Sequence, residues 1–534
     1  MIKSNRLLSQ YLVVLVLFLA SGRWLPAADT PNIIVVMVDD MGYSDLGCFG
    51  SAIETPAIDK LASHGVTFNN FYNTARCWST RASLMTGLYP HQANKAMSFG
   101  PKAPFGYQGN IPRETLFLSE LLQNHGYSTY HVGKWHLNNR SNDVENSWPL
   151  GRGFDNSYCV VSQNNFFAPW RMRDEHQLIV RSKDPQQWPQ DYYMTTAIGE
   201  RSRVYLEMHL RETPEKPFFL YVAHTAPHFP LHAPADVTDK YLGKYMHGWD
   251  EERNRRHSTL EQKGIVVTKL PPRDEEAIVW DSLNHGEQVE WDSRMAVHSA
   301  MIDIVDQEVG RLVSLLRKRG VYEDTVIIFL SDNGASAEVL VRGDGDDPTA
   351  AAGSVASYEC LEVGWSNACN TPFRQHKMWT HEGGISTPLI VHWPDGNIAS
   401  GTINEQAGHV IDLVPTIMDI VGSALPDTVD YPGESLLGTI RSGEIRDRTL
   451  FWEHLGNRAI RIGHWKAVLE YQQPWQLFDM RSDRGENIDL AKERAMLLNQ
   501  LISKWDDWAE GSSVVHWETL PEFHPNYPFK YKRK

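Results

Sequence analysis

The segment NIIVVMVDD, residues 32–40, is a run of apolar, largely β-branched residues that ends abruptly in two aspartates. A continuous apolar run of this length is typical of a strand buried on both faces of a parallel sheet. Three later segments repeat the design: GYSTYHV (126–132) before GKWH, PFFLYVA (217–223) before HTAPH, and TVIIFL (325–330) before SDNG. Each one predicts a buried strand followed at once by polar side chains.

Helical patterns separate these strands at TPAIDKLASHG (55–65), TLFLSELLQNHG (115–126) and MIDIVDQEVGRLVSLLRKRG (301–320). The alternation predicts an α/β fold with a large mixed, mostly parallel sheet sandwiched by helices. Ligands of such folds bind outside the carboxyl ends of the strands. We therefore expect the polar residues at the strand ends to converge on one crevice.

Residues 1–28 have the composition of a secretory signal peptide. Lys3 and Arg6 precede the apolar run YLVVLVLFLA (11–20), and small residues follow it. The run is too short to span a bilayer comfortably. We expect cleavage near Ala28, a periplasmic or secreted product, and no stable membrane insertion after cleavage.

The 534 residues exceed what one compact core usually holds. We expect a large domain over residues 29–440 and a smaller α+β domain over residues 441–534. The second domain begins with antiparallel strand patterns between residues 446 and 480 and continues with a helix at 490–511. Residues 232–292 are polar and weakly periodic, which indicates an insertion or a segment at the rim of the site.

The chain is acidic, with 51 Lys and Arg against 66 Asp and Glu and a net charge of −15. Such a balance argues against nucleic acid as a partner. An anionic substrate would therefore have to be attracted by a local group of cations or by a metal ion.

Five cysteines are too few for a disulfide scaffold. Cys360 and Cys369 are close enough in sequence to pair, and the odd count leaves at least one thiol free or modified. Cys77 is the candidate, because ARCWSTRASLMTG (75–87) places it at the start of a predicted helix beside Arg76 and Arg81. That environment favours a thiolate or another reactive group, although an inert cysteine beside two arginines is an equally open interpretation.

Asp39 and Asp40 at one strand end and Asp332 and Asn333 at another predict a site for a hard divalent cation, since carboxylate and amide oxygens suit Ca²⁺ or Mg²⁺ better than zinc. Two unrelated strand ends are the alternative. In HTAPHFPLH (224–232), the prolines forbid the helix that a zinc-binding row of histidines would need.

One histidine of that segment can still act in acid–base chemistry, and Lys134 with His136 lies at a further strand end. A cation, several basic side chains, histidines and an unusual cysteine together suit cleavage of an oxyanion ester.

Six segments, in this order, resemble the sulfatases, the arylsulfatase-like branch of the alkaline phosphatase superfamily. They are NIIVVMVDDMGYSDLGCFG (32–50), CWSTRASLMTGLYPHQ (77–92), GKWHL (133–137), APHFPLHAP (226–234), SDNG (331–334) and KMWTHEGGISTPLIVHWP (377–394). The resemblance covers about residues 31 to 440 and extends into the C-terminal domain. It implies an alkaline phosphatase-like fold and hydrolysis of a sulfate ester. The many Trp and Tyr of residues 232–292 and of the C-terminal domain suit stacking on sugar rings and favour a sulfated carbohydrate or small molecule as substrate, although core packing explains them equally well.

The resemblance also implies the roles of individual residues. Cys77 matches the cysteine that a maturation enzyme oxidises to formylglycine, whose hydrate is the nucleophile. The implied Ca²⁺ ligands are Asp39, Asp40, Asp332 and Asn333, with the modified Cys77 also bound. Arg81 matches the arginine that supports the modified Cys77 electrostatically, and Lys134 and Lys377 match the lysines that hold the sulfate. His136 matches the histidine that helps activate the hydrate and later expel sulfate, and His228 matches the one that helps protonate the leaving alcohol.

Two positions depart from the family pattern. Ser79 stands where the motif after the cysteine usually has Pro or Ala, and Ser386 stands where many relatives have Arg. Two other functions stay open: a phosphate or phosphonate ester hydrolase of the same superfamily, and a homologue that binds sulfated glycans without cleaving them. Cys77 followed four residues later by Arg81 favours the sulfatase, because phosphatases usually have Ser or Thr at the first of these places.

Overall fold

The computed structural model describes residues 30–138, 144–161, 165–180, 188–339, 347 and 349–520, so the predicted signal peptide lies outside it. A large mixed sheet forms the centre of the main domain, and a four-stranded antiparallel sheet forms the C-terminal one. The predicted fold class is confirmed. Among the described residues, no helix combines the length and apolar character needed to cross a bilayer.

The strands of the large sheet are β1 (Asn32–Asp39), β2 (Val66–Tyr72), β3 (Ser128–Lys134), β4 (Asn156–Val160), β5 (Arg171–Asp174), β6 (Gln177–Val180), β7 (Phe218–Pro227), β8 (Thr325–Ser331), β9 (Ser386–His392), β10 (Thr402–Asn404) and β11 (Gly408–His409). The strands of the small sheet are β12 (Thr449–His454), β13 (Asn457–Ile462), β14 (Trp465–Leu469) and β15 (Gln476–Asp479).

The α-helices are α1 (Pro56–Ser63), α2 (Cys77–Thr86), α3 (Leu118–Asn124), α4 (Val144–Ser147), α5 (Met194–Glu212), α6 (Ala235–Thr238), α7 (Gly248–Gln262), α8 (His285–Arg319), α9 (Glu362–Cys369), α10 (Glu382–Ile385), α11 (Leu413–Ile420), α12 (Leu437–Ser442) and α13 (Ala495–Gly511).

Strand β1 lies at the middle of the large sheet, and each of its eight residues is buried. It pairs in parallel with β7 on one side and β8 on the other. Its alternate residues enter two different hydrophobic cores: Ile34 packs in one and Ile33 in the other. This two-sided burial explains why the segment is apolar throughout, as the sequence predicts for a central strand.

Helix α8 begins at His285, well before the predicted start at residue 301. Asn284 and Glu287 form a capping box, in which each side chain accepts a hydrogen bond from the backbone N–H of the other. The first turns are polar and partly exposed, so hydrophobic periodicity alone placed the helix start too late.

The polar segment 232–292 holds α6, α7 and the start of α8. Arg256 on α7 is buried between Asp45 and Glu252, with nitrogen–oxygen distances of 2.7 and 2.8 Å. The charged residues of this segment make its hydrophobic periodicity weak. Some of them thus belong to a buried network of ion pairs. That the segment is an insertion stays a prediction.

Buried ion pairs join the C-terminal domain to the large one. Glu382 on α10 accepts from Lys466 at 2.8 Å and from Arg484 at 3.0 Å, and Lys466 also pairs with Glu486 at 2.9 Å. The hydroxyl of Ser386 donates to the same carboxylate at 2.9 Å. Ser386 is therefore part of this interface.

All five cysteines lie in the described residues, and no disulfide joins them, so the suggested Cys360–Cys369 pairing is wrong. Cys369 ends α9 and is buried with its Sγ 3.7 Å from His298 Nε2. Proximity in sequence did not bring the two thiols together.

Candidate active site

Four neighbouring strands of the large sheet, in the order β8-β1-β7-β3, bring their carboxyl ends to the same edge. Eight residues predicted for the site lie at or just beyond these ends or on the segments packed there: Asp39, Asp40, Lys134, His136, His228, Asp332, Asn333 and Lys377. The N-terminus of α2 brings Cys77 and Arg81 to them. The convergence expected from the strand pattern is present.

Two lysines neutralise the two adjacent aspartates. Lys134 Nζ lies 2.5 Å from Asp39 Oδ2, and Lys377 Nζ lies 2.8 Å from Asp40 Oδ2. Asp40 has a φ of 67°, which turns the chain at the end of β1 so that consecutive carboxylates face different lysines. All four side chains are buried.

Arg81 is fully buried and connects several segments of the site by hydrogen bonds. It donates from Nη2 to Asp332 Oδ2 at 2.7 Å and from Nη1 to the carbonyl of Lys134 and the hydroxyl of Tyr221, at 3.2 and 3.1 Å. These bonds tie α2 to the ends of β3, β7 and β8. Arg81 therefore fixes the position of other site residues.

The carboxylates are crowded. Burial and neighbouring Asp39 raise the pKa of Asp332, and the contact with Arg81 only partly offsets them. Burial also opposes the charge of Asp39, but Lys134 and the other cations outweigh burial and lower its pKa. Such opposite shifts mark two carboxylates that compete for positive charge.

Two buried oxygens of the predicted metal ligands have no hydrogen-bond donor: Asp39 Oδ1 and Asn333 Oδ1. Ligand atoms of Asp39, Cys77 and Asp332 lie within 4.8 Å of one another, as do those of Asp39, Asp40 and His228. Buried oxygens without donors are costly unless a cation binds them. The donor set is thus chemically suited to a hard divalent ion.

Cys77 is the first residue of α2 and is buried at the centre of the site. Its Sγ lies 3.5 Å from Nδ1 of His136. Burial raises the pKa of the thiol, and the nearby Lys134 and Lys377 do not reverse the effect. The surroundings of unmodified Cys77 therefore favour the thiol over a thiolate, because the carboxylates beside it and the loss of water disfavour a second anion. That residue 77 carries another reactive group stays a prediction.

Two histidines flank Cys77 and Lys377, and burial lowers the pKa of both. His228 bonds through Nδ1 to the carbonyl of Phe229 at 2.6 Å and has Nε2 3.3 Å from Lys377 Nζ. His228 and His136 therefore present neutral imidazoles to the same space.

The other histidines of the 224–232 segment have different surroundings. Burial lowers the pKa of His224 to about 3, and His232 bonds the carbonyl of Ser357 at 2.7 Å and receives the N–H of Phe166. His232 therefore holds loops in place.

Sequence reasoning missed Glu338. Its Oε2 lies 3.0 Å from Lys377 Nζ, and its Oε1 lies 3.6 Å from Nη2 of Arg76. Burial opposes its charge, but Lys377 and Arg76 outweigh burial and lower its pKa. The only signal in the sequence is an acidic residue shortly after SDNG, which alone predicts nothing.

Known proteins are similar to this chain over most of its length. A family model described as Sulfatase matches residues 31–423. An uncharacterized sulfatase of Schizosaccharomyces pombe is 30% identical, covering 91% of this chain and 94% of its own. An N-acetylgalactosamine-6-sulfatase of Rattus norvegicus is 29% identical, covering 91% of this chain and 80% of its own.

Among solved structures, Ps i-CgsB in complex with k-i-k-neocarrahexaose is similar with a TM-score of 0.64 and 25% identity, covering 90% of this chain and 93% of its own. The likeness thus covers both the large domain and the small C-terminal sheet.

Proposed function

The chain belongs to the sulfatase family of sulfuric ester hydrolases, and we propose that it is an exported sulfatase that releases inorganic sulfate from a carbohydrate or aryl ester. Cys77, matured to formylglycine, is the proposed source of the nucleophile, and Ca²⁺ is the proposed metal, with Mg²⁺ the second choice. One observation carries the proposal: buried cations, donor-free oxygens and two neutral histidines surround a single buried cysteine.

The sulfate would bind between Lys134 and Lys377, whose positive charges both act on the thiol of Cys77. Both lysines are buried, so their charge is little screened by water. Placed opposite a charge that grows during the reaction, such groups lower the barrier without having to reorganise.

Formylglycine at position 77 would supply an aldehyde hydrate as the attacking group. His136, with Nδ1 3.5 Å from Sγ of Cys77, is placed to accept a proton from a group at this position. His228 Nε2 accepts from Lys377 Nζ at 3.3 Å and would relay a proton from that ammonium group to the oxygen of the leaving alcohol.

Asp39, Asp40, Asp332 and Asn333, with residue 77, would hold the Ca²⁺ ion. When bound, the ion would supply positive charge to the two buried oxygens that have no hydrogen-bond donor. The same charge would offset the negative charge of the sulfate.

Ser79 bears on maturation. It is buried in the first turn of α2, with its hydroxyl donating to the carbonyl of Arg76 at 3.0 Å. A small side chain fits there, and we propose that the formylglycine-generating enzyme of the host accepts it. The aromatic side chains around the site and the sugar ligand of the similar structure favour a sulfated carbohydrate as substrate.

Mass spectrometry of the exported protein tests the proposal most directly. Trypsin cleaves after Arg76 and Arg81 and releases residue 77 in the peptide CWSTR. We expect an aldehyde in place of the thiol, hydrolysis of p-nitrophenyl sulfate, and no hydrolysis by Cys77→Ala. An intact thiol in protein from the native host would favour the non-catalytic glycan-binding function. Faster hydrolysis of p-nitrophenyl phosphate than of the sulfate would favour the phosphatase.

A further inference from the structure

Arg76 and Glu338 form an ion pair at the mouth of the active site. The guanidinium Nη2 of Arg76 lies 3.6 Å from Glu338 Oε1, and these side chains keep 16% and 15% of their surface exposed. Lys377, the next cation inward, keeps only 1%. The pair therefore lies in the layer between solvent and the buried groups that would hold the sulfate.

Neighbouring side chains hold both members of the pair in place. The guanidinium of Arg76 stacks on the ring of Trp78 with its centre 4.6 Å from the ring centroid. Glu338 receives the hydroxyl of Ser336 at 3.0 Å and contacts Lys377 at 3.0 Å. A fixed donor and a fixed acceptor thus lie side by side, and the donor, Arg76, directly precedes Cys77 in the chain.

The position limits what this pair can contact. A sulfate held by the buried lysines must direct its ester oxygen and alcohol toward the exposed side of the site. The carboxylate of Glu338 would repel a second anionic group there but can accept a hydrogen bond from a hydroxyl. Arg76 can donate to an adjacent oxygen. Such mixed pairs suit the neighbouring hydroxyls of a neutral sugar ring.

We propose that Arg76 and Glu338 form a subsite for the alcohol part of the substrate, and that the substrate is a sugar sulfate with a free hydroxyl next to the ester. The inference rests on the proposed function, since it assigns the leaving group of that reaction. It predicts a preference for sugar sulfates over aryl sulfates, which lack such a hydroxyl.

The test compares kcat/KM for p-nitrophenyl sulfate with that for galactose monosulfates differing in ester position, using wild type, Arg76→Gln and Glu338→Gln. A hydrogen bond to a charged group contributes a factor of about ten or more. We therefore expect each variant to lose about tenfold more activity on the preferred sugar sulfate than on the aryl ester.

Arg201→Gln is the matched control, because Arg201 also pairs with a carboxylate, Asp174, at 3.1 Å and stacks on Tyr158 at 4.7 Å. It should change neither activity. Equal losses on both substrates would show that Glu338 only positions Lys377, and the subsite would be refuted.

A binding measurement separates this inference from the proposed function. If wild type cleaves no sulfate ester, the proposed function fails, and the same proteins are titrated calorimetrically with the galactose monosulfates. Weaker binding by Arg76→Gln and Glu338→Gln than by wild type would still support the subsite. Unchanged binding, or none by wild type, would overturn it.

Discussion

Arg81 places both Nε and Nη2 on the same oxygen of Asp332, at 3.1 and 2.7 Å, with neither side chain exposed. The two residues are far apart in the chain, and the pair joins helix α2 to the end of strand β8. The arginine fork thus sets the distance between Cys77 and one of the proposed metal ligands.

Arg81→Met is expected to lower the free energy of unfolding by about 3–5 kcal/mol, because it leaves a buried carboxylate without its partner. Arg81→Lys should lower the free energy of unfolding by less, since it keeps the positive charge. It should still be less stable than wild type, because lysine cannot contact Asp332, Tyr221 and the carbonyl of Lys134 together. Urea denaturation measures both. Arg201→Gln, which removes a partly exposed pair, should cost less than about 1 kcal/mol. A similar loss in Arg81→Met and Arg201→Gln would contradict the role given to Arg81.

The strands and their polar ends could be predicted because the information is local. Each residue of β1 is buried by strands and helices on all sides, so its apolar run records its place in the sheet. Asp39 and Asp332 follow directly from the ends of such runs. The parallel arrangement then requires these ends to meet.

The rest depends on contacts between distant segments, which a local pattern does not record. Arg256 is buried because it pairs with Asp45, which is far away in sequence. The polar composition of α7 alone suggests an exposed helix. Glu338 acquires its role only from Lys377 and Arg76. The field of a helix N-terminus left a reactive group and an inert cysteine equally open at Cys77, and burial, which a local pattern does not record, favours the thiol over a thiolate.

Calcium is expected to stabilise the chelator-treated protein, by about 2.7 kcal/mol at a concentration one hundred times Kd. Asn333→Ala should largely abolish this gain, because it removes one of the two buried oxygens without a donor. Thermal unfolding with and without Ca²⁺ measures the gain. Asn284→Ala is a useful control: it removes the cap of α8, costs about 1 kcal/mol and should keep the full calcium effect. An equal gain in both variants would argue against this metal site.

Glu252 is expected to make stability depend on acid pH. Burial opposes its charge, but Arg256 and His247 outweigh burial and lower its pKa from 4.5 to about 2. The carboxylate also interacts electrostatically with Tyr245. A carboxyl with a depressed pKa contributes stability, here about 3 kcal/mol, that is complete above pH 4.5 and lost as the pH falls toward 2.

Urea denaturation between about pH 7 and pH 3 tests this dependence. Glu252→Gln should be less stable than wild type at neutral pH and should lose less stability on acidification. Its neighbour Glu251 pairs with Arg255 on the exposed side of α7, so Glu251→Gln should follow the wild-type profile. Parallel profiles for wild type and Glu252→Gln would rule out Glu252 as the source.

Lys377 makes three contacts through one ammonium group, with Asp40 at 2.8 Å, Glu338 at 3.0 Å and His228 at 3.3 Å. Lys377→Met should therefore lower kcat/KM for p-nitrophenyl sulfate by about a hundredfold to a thousandfold, as expected when a preorganised cation is withdrawn from growing negative charge. Because the loss concerns the transition state, kcat should fall more than KM rises. Lys240→Met removes a half-exposed lysine that pairs with Asp303 and should leave both constants unchanged. If Lys377→Met raised KM alone, Lys377 would only bind the substrate and would not stabilise the reacting sulfate.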